Sequence, residues 1–208
     1  MEQLRIESVR RVHGRATLTL SDGQVVAMPR ALLRERPYKS GMPFDPESFR
    51  RLLAERSYRY ALEKAVSLLS LRARTEGEIR KALADNAYPP DAIEHALARI
   101  GEAGYVDDAS FARQFVDSRM QRGLGKRRIS MDLRRKGVSA DVIDEAFEAL
   151  DEDDALESAV LAARKAARGR DLSTPEGRQK TLAALARRGF DFSTAKRALG
   201  RVMEEADQ

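Results

Sequence analysis

The chain has no cysteine and no tryptophan, and aromatic residues make up only 6% of its 208 positions. Without cysteine there is no disulfide framework and no thiolate for catalysis or metal binding, which fits a reducing compartment. The two histidines, His13 and His95, fall in different segments. They cannot build a histidine-rich metal site, and a Ser-His-Asp arrangement has no scaffold. No apolar run approaches the roughly 20 residues needed to cross a bilayer. The opening MEQLRIESVRR is charged from the start and lacks the apolar core of a signal peptide. These absences predict a soluble cytoplasmic protein with no cofactor, no metal and no membrane contact.

Charged residues are plentiful at 34%, while glycine (13) and proline (7) are sparse, a helix-rich globular composition and not a disordered one. The net charge of +5 is modest, but it is unevenly spread. Residues 1–60 carry 12 lysines and arginines against 7 acids, and residues 109–150 carry 9 against 6. Residues 61–108 lean acidic, with 6 against 9, and residues 151–208 balance at 11 each. Local positive concentrations suit nucleic acid or an acidic protein surface.

Residues 4–28 read as strands. ATLTL alternates leucine with threonine, and Asp22-Gly23 is a hairpin turn signal before VVAM. LRIESVRRV supplies a further strand that turns near His13-Gly14. Prolines 29, 37, 43 and 46 then punctuate a linker containing one short helix, ALLRE, and Asp45-Pro46 opens another, PESFRRLLAERS.

From about Tyr58 to Met203 the pattern is helical and repeats. Ile79, Leu83, Tyr88, Ile93 and Leu97 form one spacing series. Ile129, Leu133, Val138, Ile143 and Phe147 repeat it, and Thr181, Leu185, Phe190, Ala195 and Leu199 repeat it again. The first gap of five holds Gly137 and Gly189 in the later copies, at the place where a helix ends in the left-handed conformation. The first copy has Asn86-Ala87 there, and asparagine is the residue next most tolerant of that conformation. Each series follows one further helix: YALEKAVSLLSL, ASFARQFVDSRM after the capping pair Asp107-Asp108, and ALESAVLAARKAA. The unit is therefore about fifty residues and three helices, present three times, and stacking of neighbours buries what one pair cannot.

The most pointed chemistry lies between Arg119 and Lys136. Arg119, Arg122, Lys126, Arg127, Arg128, Arg134, Arg135 and Lys136 stand there with one acid, Asp132. On a helical projection Ile129 and Leu133 mark the buried side, and Arg127, Arg128, Arg134 and Arg135 fall opposite. Guanidiniums on one exposed face engage phosphates or carboxylates in bidentate fashion, so this segment is the expected partner- or DNA-binding surface. The preceding RGLG lacks the GxxxxGK[ST] pattern of a nucleotide loop and reads as a flexible connection bringing the next helix N-terminus to the surface. The acidic run 151–154 reads as helix capping and linker solvation, not as a metal site. His95 reads as a surface residue on a helix. Tyr88 and Phe190, with Tyr105, Phe111 and Phe115 nearby, could stack on single-stranded bases, but their repeat positions argue for core. Nothing supports catalysis.

GYVDDASFARQFVDSR (residues 104–119), followed by RGLGKRRISMDLRRKGV and preceded by LSLRARTEGEIRKAL (residues 69–83), resembles the RecX family of recombination regulators. The resemblance covers roughly residues 58–203. Ala87 departs from the glycine usual in the first repeat, and the third repeat carries an insertion, GRDLSTPEGRQ. The resemblance implies a modulator of the RecA recombinase, built of three-helix repeats that lie in the groove of the RecA–single-stranded DNA filament. Such proteins lower ATP hydrolysis and strand exchange in recombination, repair and the SOS response, with no enzymatic activity of their own.

The expected fold is mainly α: three tandem three-helix repeats forming an elongated curved arm, preceded by a small β-hairpin-containing module. The expected boundaries are 1–57 for that module and 58–106, 107–150 and 151–208 for the repeats. The expected partner is the RecA nucleoprotein filament, with single- or double-stranded DNA as a further ligand, and the expected state is a monomer. The alternative is a stand-alone DNA-binding protein using helix-turn-helix-like repeats.

Overall fold

The structure, a computed structural model, describes residues 3–148 and 150–206, the side chains of Glu152 and Ala206 excepted. It divides into two compact units, Met1–Asp107 and Asp108–Gln208.

In the first unit β1 (Ile6–Val12), β2 (Arg15–Leu20) and β3 (Val25–Pro29) form an antiparallel sheet in the order β1-β2-β3. The expected turns are there: His13 adopts φ 51° between β1 and β2, and Gly23 adopts φ 82° between β2 and β3. Alternation along β2 buries Ala16, Leu18 and Leu20 completely, while Thr17 and Thr19 face the other side half-buried. A 3₁₀ turn (Arg30–Arg34) occupies the expected ALLRE segment. Tyr38, Phe44 and Phe49 then meet in an aromatic cluster with ring centroids 5.3–6.4 Å apart.

The helix α1 (Pro46–Leu69) starts because Pro46 presets the first turn and the Asp45 carboxylate accepts from the Glu47 and Ser48 N–H groups at 3.1 and 3.2 Å. It runs 24 residues unbroken, so the boundary expected between residues 57 and 58 falls inside one helix. No glycine or proline stands in AERSYRYALEK to stop it, and Ser57, Tyr60, Ala61 and Ala65 keep one stripe buried across that point. The sheet and the first helical triplet consequently share α1 and a single apolar core. α2 (Glu76–Asp85) opens on Thr75, whose hydroxyl accepts from the Glu78 N–H, and α3 (Pro90–Glu102) packs along α1. Tyr88 ties the triplet together: its hydroxyl donates to the Tyr60 carbonyl at 3.1 Å, and burial pushes its pKa up to about 12. Gly14, in the β1–β2 turn, has no room for a Cβ because the Asn86 side chain lies against it. The β module is thus docked on the α2–α3 turn.

The second unit holds two triplets among its described residues: α4 (Asp108–Met120), α5 (Lys126–Arg135) and α6 (Ala140–Glu148), then α7 (Glu152–Ala167), α8 (Pro175–Arg187) and α9 (Phe192–Ala206). Ala112, Val116, Ile129, Leu133 and Ile143 form the core of one. Leu156, Ala159, Ala163, Leu185 and Phe190 form the core of the other. Fully burying a side chain such as Ile129 or Leu133 stabilises by about 1.5–3 kcal/mol.

The repeated spacing has a definite physical origin. At the end of α2 the N–H of Ala87 donates to the Ala84 carbonyl and that of Tyr88 to the Leu83 carbonyl. Gly137 to Arg134 and Val138 to Leu133 repeat this after α5, and Gly189 to Ala186 and Phe190 to Leu185 repeat it after α8. This is the Schellman closure, in which the second residue beyond the helix folds back onto the residue five before it. Leucine and its apolar partner five residues on are therefore in contact by construction. Of the fifteen residues in the three series only Phe147 is not buried.

One detail departs from expectation. Asn86 is not the left-handed residue; Ala87 is, at φ 61°, matching Gly137 at 83° and Gly189 at 93°. Asn86 instead caps from the preceding position and donates its side-chain N–H to the Ala82 carbonyl. An alanine in this conformation is strained by about 1–2 kcal/mol. Ala87→Gly is therefore expected to stabilise the protein by about 1 kcal/mol, raising its melting temperature by about 3 °C in a thermal scan.

The caps of the last two helices follow the sequence. Asp154 accepts from the Asp151 N–H at 3.2 Å, the capping role expected for the acidic run, although the side chain of Glu152 lies outside the described residues. Asp191 accepts from the Ser193 hydroxyl at 2.6 Å and the Thr194 N–H at 2.8 Å, and these bonds lower its pKa to about 2. The folded value lies below the unfolded one, so this contribution is present above about pH 4 and is lost as pH falls toward 2. Asp191→Ala should lower stability by about 1 kcal/mol at neutral pH in urea melts, and the difference should shrink as pH approaches 2.

Candidate partner-binding surface

α5 is set by Ile129 and Leu133, both fully buried, which turn the opposite side of the helix outward. Arg122, Lys126, Arg127, Arg128, Arg134 and Arg135 are exposed, and Arg119 and Lys136 are half-buried. The structure sorts these eight residues into three groups with different availability.

Arg128 and Arg135 both reach Asp132, Arg128 at 3.5 Å and Arg135 in a closer pair. Asp132 is thus spaced to neutralise part of its own helix, and the like-charge repulsion along α5 is smaller than the raw count of cations implies. Arg119, Lys126 and Lys136 lie over aromatic rings. The Arg119 guanidinium sits 4.7 Å from the centroid of Phe115, and the Lys136 ammonium sits 5.5 Å from Phe111 and 5.8 Å from Phe115. Lys126 sits 5.1 Å over Phe147. Such contacts contribute about 0.5–1 kcal/mol each at exposed sites. Arg122, Arg127 and Arg134 have no carboxylate within ion-pairing distance among the described residues. These three are the cations left for a partner.

Tyr88 and Phe190 are core residues, as their repeat positions indicate, whereas Phe111 and Phe115 are not fully buried. They stack with centroids 5.9 Å apart and planes 18° from parallel, forming a half-exposed platform rimmed by Arg119 and Lys136. The spacing of four between the two phenylalanines on α4 was the available signal. Tyr105 is 65% exposed. His95 is exposed and meets the Tyr58 ring edge-on at 5.1 Å. No group of acids and histidines among the described residues could hold a metal ion, and none of their helices is long and apolar enough to cross a membrane.

The RGLG segment is not a flexible connection, and it does not free the N-terminus of α5. The Gly125 N–H donates to the Arg188 carbonyl at 3.0 Å and the Arg127 N–H to the Gly189 carbonyl at 3.1 Å. The start of α5 is thereby capped by the carbonyl end of α8, joining opposite ends of two helix dipoles. A Cβ on Gly125 would meet the Gly189 backbone at 2.5 Å, and one on Gly189 would meet the Arg128 N–H nitrogen at 2.4 Å. Arg188 reinforces the joint by donating to the Gly123 carbonyl at 3.2 Å, and the Ser158 hydroxyl donates to the Met120 carbonyl at 2.7 Å. An anion has no access to those amide groups, so the binding capacity of α5 resides in its side chains.

The family comparisons follow the same division of the chain. The first, second and third three-helix domains of RecX match residues 61–99, 107–146 and 152–199. The regulatory protein RecX of Deinococcus radiodurans is 33% identical over 186 residues, 88% of each chain. That of Mycolicibacterium smegmatis is 40% identical over 134 residues, 62% of this chain and 71% of the relative. In fold, the chain is similar to a crystal structure of regulatory protein RecX with a TM-score of 0.62 at 22% identity, covering 93% of this chain and 97% of that one. RecX from Lactobacillus salivarius gives a TM-score of 0.63 at 19% identity, covering 70% and 96%. Each helical triplet built by the recurrent Schellman closure answers in order to one domain of a single family, and the chain belongs to that family, RecX, whose members are named as regulatory proteins and not as enzymes.

Proposed function

We propose that this chain regulates RecA by binding the RecA–single-stranded DNA filament and lowering its ATP hydrolysis and strand exchange. The observation that carries this reading is the exposed face of α5 in a RecX triplet, where Arg127 and Arg134, with Arg122 just ahead of the helix, have no counter-ion among the described residues. A nucleoprotein filament offers phosphate and carboxylate groups at repeated intervals, and bidentate guanidiniums suit both. Several triplets that engage successive protomers act multivalently, so modest contacts add up to firm binding. The protein acts in the cytoplasm as a monomer and needs no cofactor.

A stand-alone DNA reader of helix-turn-helix type fits less well. Such a reader places the N-terminal residues of its second helix on base edges. Here the pair joined by a short glycine turn is α5 and α6, and the second helix, α6, opens on Ala140, Asp141 and Asp144 with no lysine or arginine in its length. The two readings separate in a binding measurement at physiological salt, with labelled single-stranded DNA either naked or coated with RecA and a non-hydrolysed ATP analogue. Tight binding to the filament with binding to naked DNA at least about tenfold weaker is expected, a difference of about 1.4 kcal/mol. Equal affinity for the two would overturn the RecA reading.

A further inference from the structure

The first unit carries a second cationic feature, which no run of basic sequence announces. A cavity of about 530 Å³ opens where the β1–β2 turn, the 3₁₀ turn and the α2–α3 turn meet. Arg11 enters it from β1, Arg30 and Arg34 from successive turns of the 3₁₀ segment, and Lys64 from α1, with Asn86 at its floor. No aspartate or glutamate among the described residues lines it. None of the four cations forms an ion pair among the described residues, and Lys64 is half-buried. Its neighbour Glu63 is engaged elsewhere, with Arg59 at 2.8 Å.

We infer that this cavity is a phosphate-binding cleft for a strand of nucleic acid. Four cations brought together from three elements repel one another, and Lys64 is partly desolvated as well, so the free protein holds an electrostatic cost that a bound anion offsets. Three of the four are arginines, whose planar forks match phosphate oxygens in bidentate fashion. Arg11, Arg30 and Arg34 are exposed, and the four cations come from β1, the 3₁₀ turn and α1, an extension of positive charge beyond the reach of one phosphate. A linear polyanion uses that extension, and a single free phosphate does not. The rigid floor is part of the site: Gly14 and Asn86 are packed without space for a Cβ between them, and the Arg30 N–H donates to the Gly14 carbonyl at 2.8 Å, fixing the 3₁₀ turn to the hairpin.

The inference is independent of the RecA reading, because it concerns a different unit and a ligand that is present without RecA. Its test uses the full chain and a short fluorescent single-stranded oligonucleotide, with anisotropy followed across a salt series. Each phosphate neutralised on a single strand contributes about −0.7 to the slope of log affinity against log salt. Arg11→Gln/Arg30→Gln/Arg34→Gln should make the slope shallower by about 2 and weaken low-salt binding at least about tenfold. The single variant Arg34→Gln should give about a third of that slope change, and both variants should melt within about 2 °C of the parent because the altered side chains are exposed. Lys165→Gln/Lys196→Gln, exposed cations that belong to neither surface, should leave the slope of this RecA-free binding unchanged. Competition by polyglutamate as strong as that by unlabelled oligonucleotide would assign the cleft to an acidic protein segment and overturn the proposal. So would full competition by inorganic pyrophosphate, or an unaltered slope in the triple variant.

Discussion

Gly189→Ala is expected to destabilise the protein by about 2–5 kcal/mol. Two terms make it up. Gly189 holds φ 93°, where an L-residue is strained by about 1–2 kcal/mol. The new methyl would also lie 2.4 Å from the Arg128 backbone nitrogen, and overpacking against an immovable backbone costs about 1–3 kcal/mol. Gly169→Ala is the internal control, since Gly169 shares a positive φ of 73° but has open space around it. It should lose only the conformational part. Urea melts of both variants separate the terms, and equal losses would show that the Gly125–Gly189 joint contributes nothing to stability. Because that joint fixes the N-terminus of α5, Gly189→Ala should also impair partner binding before the chain unfolds.

The second large effect concerns the exposed face of α5. Replacing Arg127, Arg128, Arg134 and Arg135 with glutamate takes the net charge from +5 to −3, each reversal shifting it by two. Ile129 and Leu133 are untouched, so far-UV circular dichroism and thermal midpoint should hold to within a few degrees. The small loss comes from Asp132, which trades two attractive partners, Arg128 and Arg135, for two repulsive ones. Binding to the RecA filament should weaken by at least about a hundredfold, equivalent to about 2.7 kcal/mol. Most of that loss should already appear in Arg127→Glu/Arg134→Glu, because those two arginines are not committed to Asp132. Filament binding indistinguishable from the parent would reduce the arginine face to a solvated helix surface.

The parts of this architecture that could be read from the amino acids are those governed by local rules. The apolar series around Ile79, Ile129 and Thr181 could be read because one closure motif, with a fixed separation between the leucine and its apolar partner, ends the middle helix of every triplet. The hairpin could be read from Asp22-Gly23, and the start of α1 from Asp45-Pro46. What was misread depends on partners distant in the chain or on which of two adjacent residues absorbs a strain. Asn86 is the better left-handed residue by intrinsic preference, but Ala87 occupies the position because the carbonyl of Leu83 must receive the Tyr88 N–H. Gly125 looked like slack because its packing partner, Gly189, lies in the next triplet. The division of the eight cations into free, paired and ring-bound groups needs the positions of Asp132, Phe111, Phe115 and Phe147 in space. The cleft around Arg11, Arg30, Arg34 and Lys64 is not legible in the sequence because those residues lie in β1, the 3₁₀ turn and α1, which only the fold brings together.

The central claim, that this chain restrains RecA through a distributed cationic surface and not through chemistry of its own, is tested most directly by the single-stranded-DNA-dependent ATP hydrolysis of RecA, titrated with the purified chain. Turnover should fall steadily as the chain is added, and Arg127→Glu/Arg134→Glu, folded by circular dichroism, should leave it near the rate without the chain. Unchanged ATP hydrolysis at a saturating concentration of the parent chain would contradict the claim.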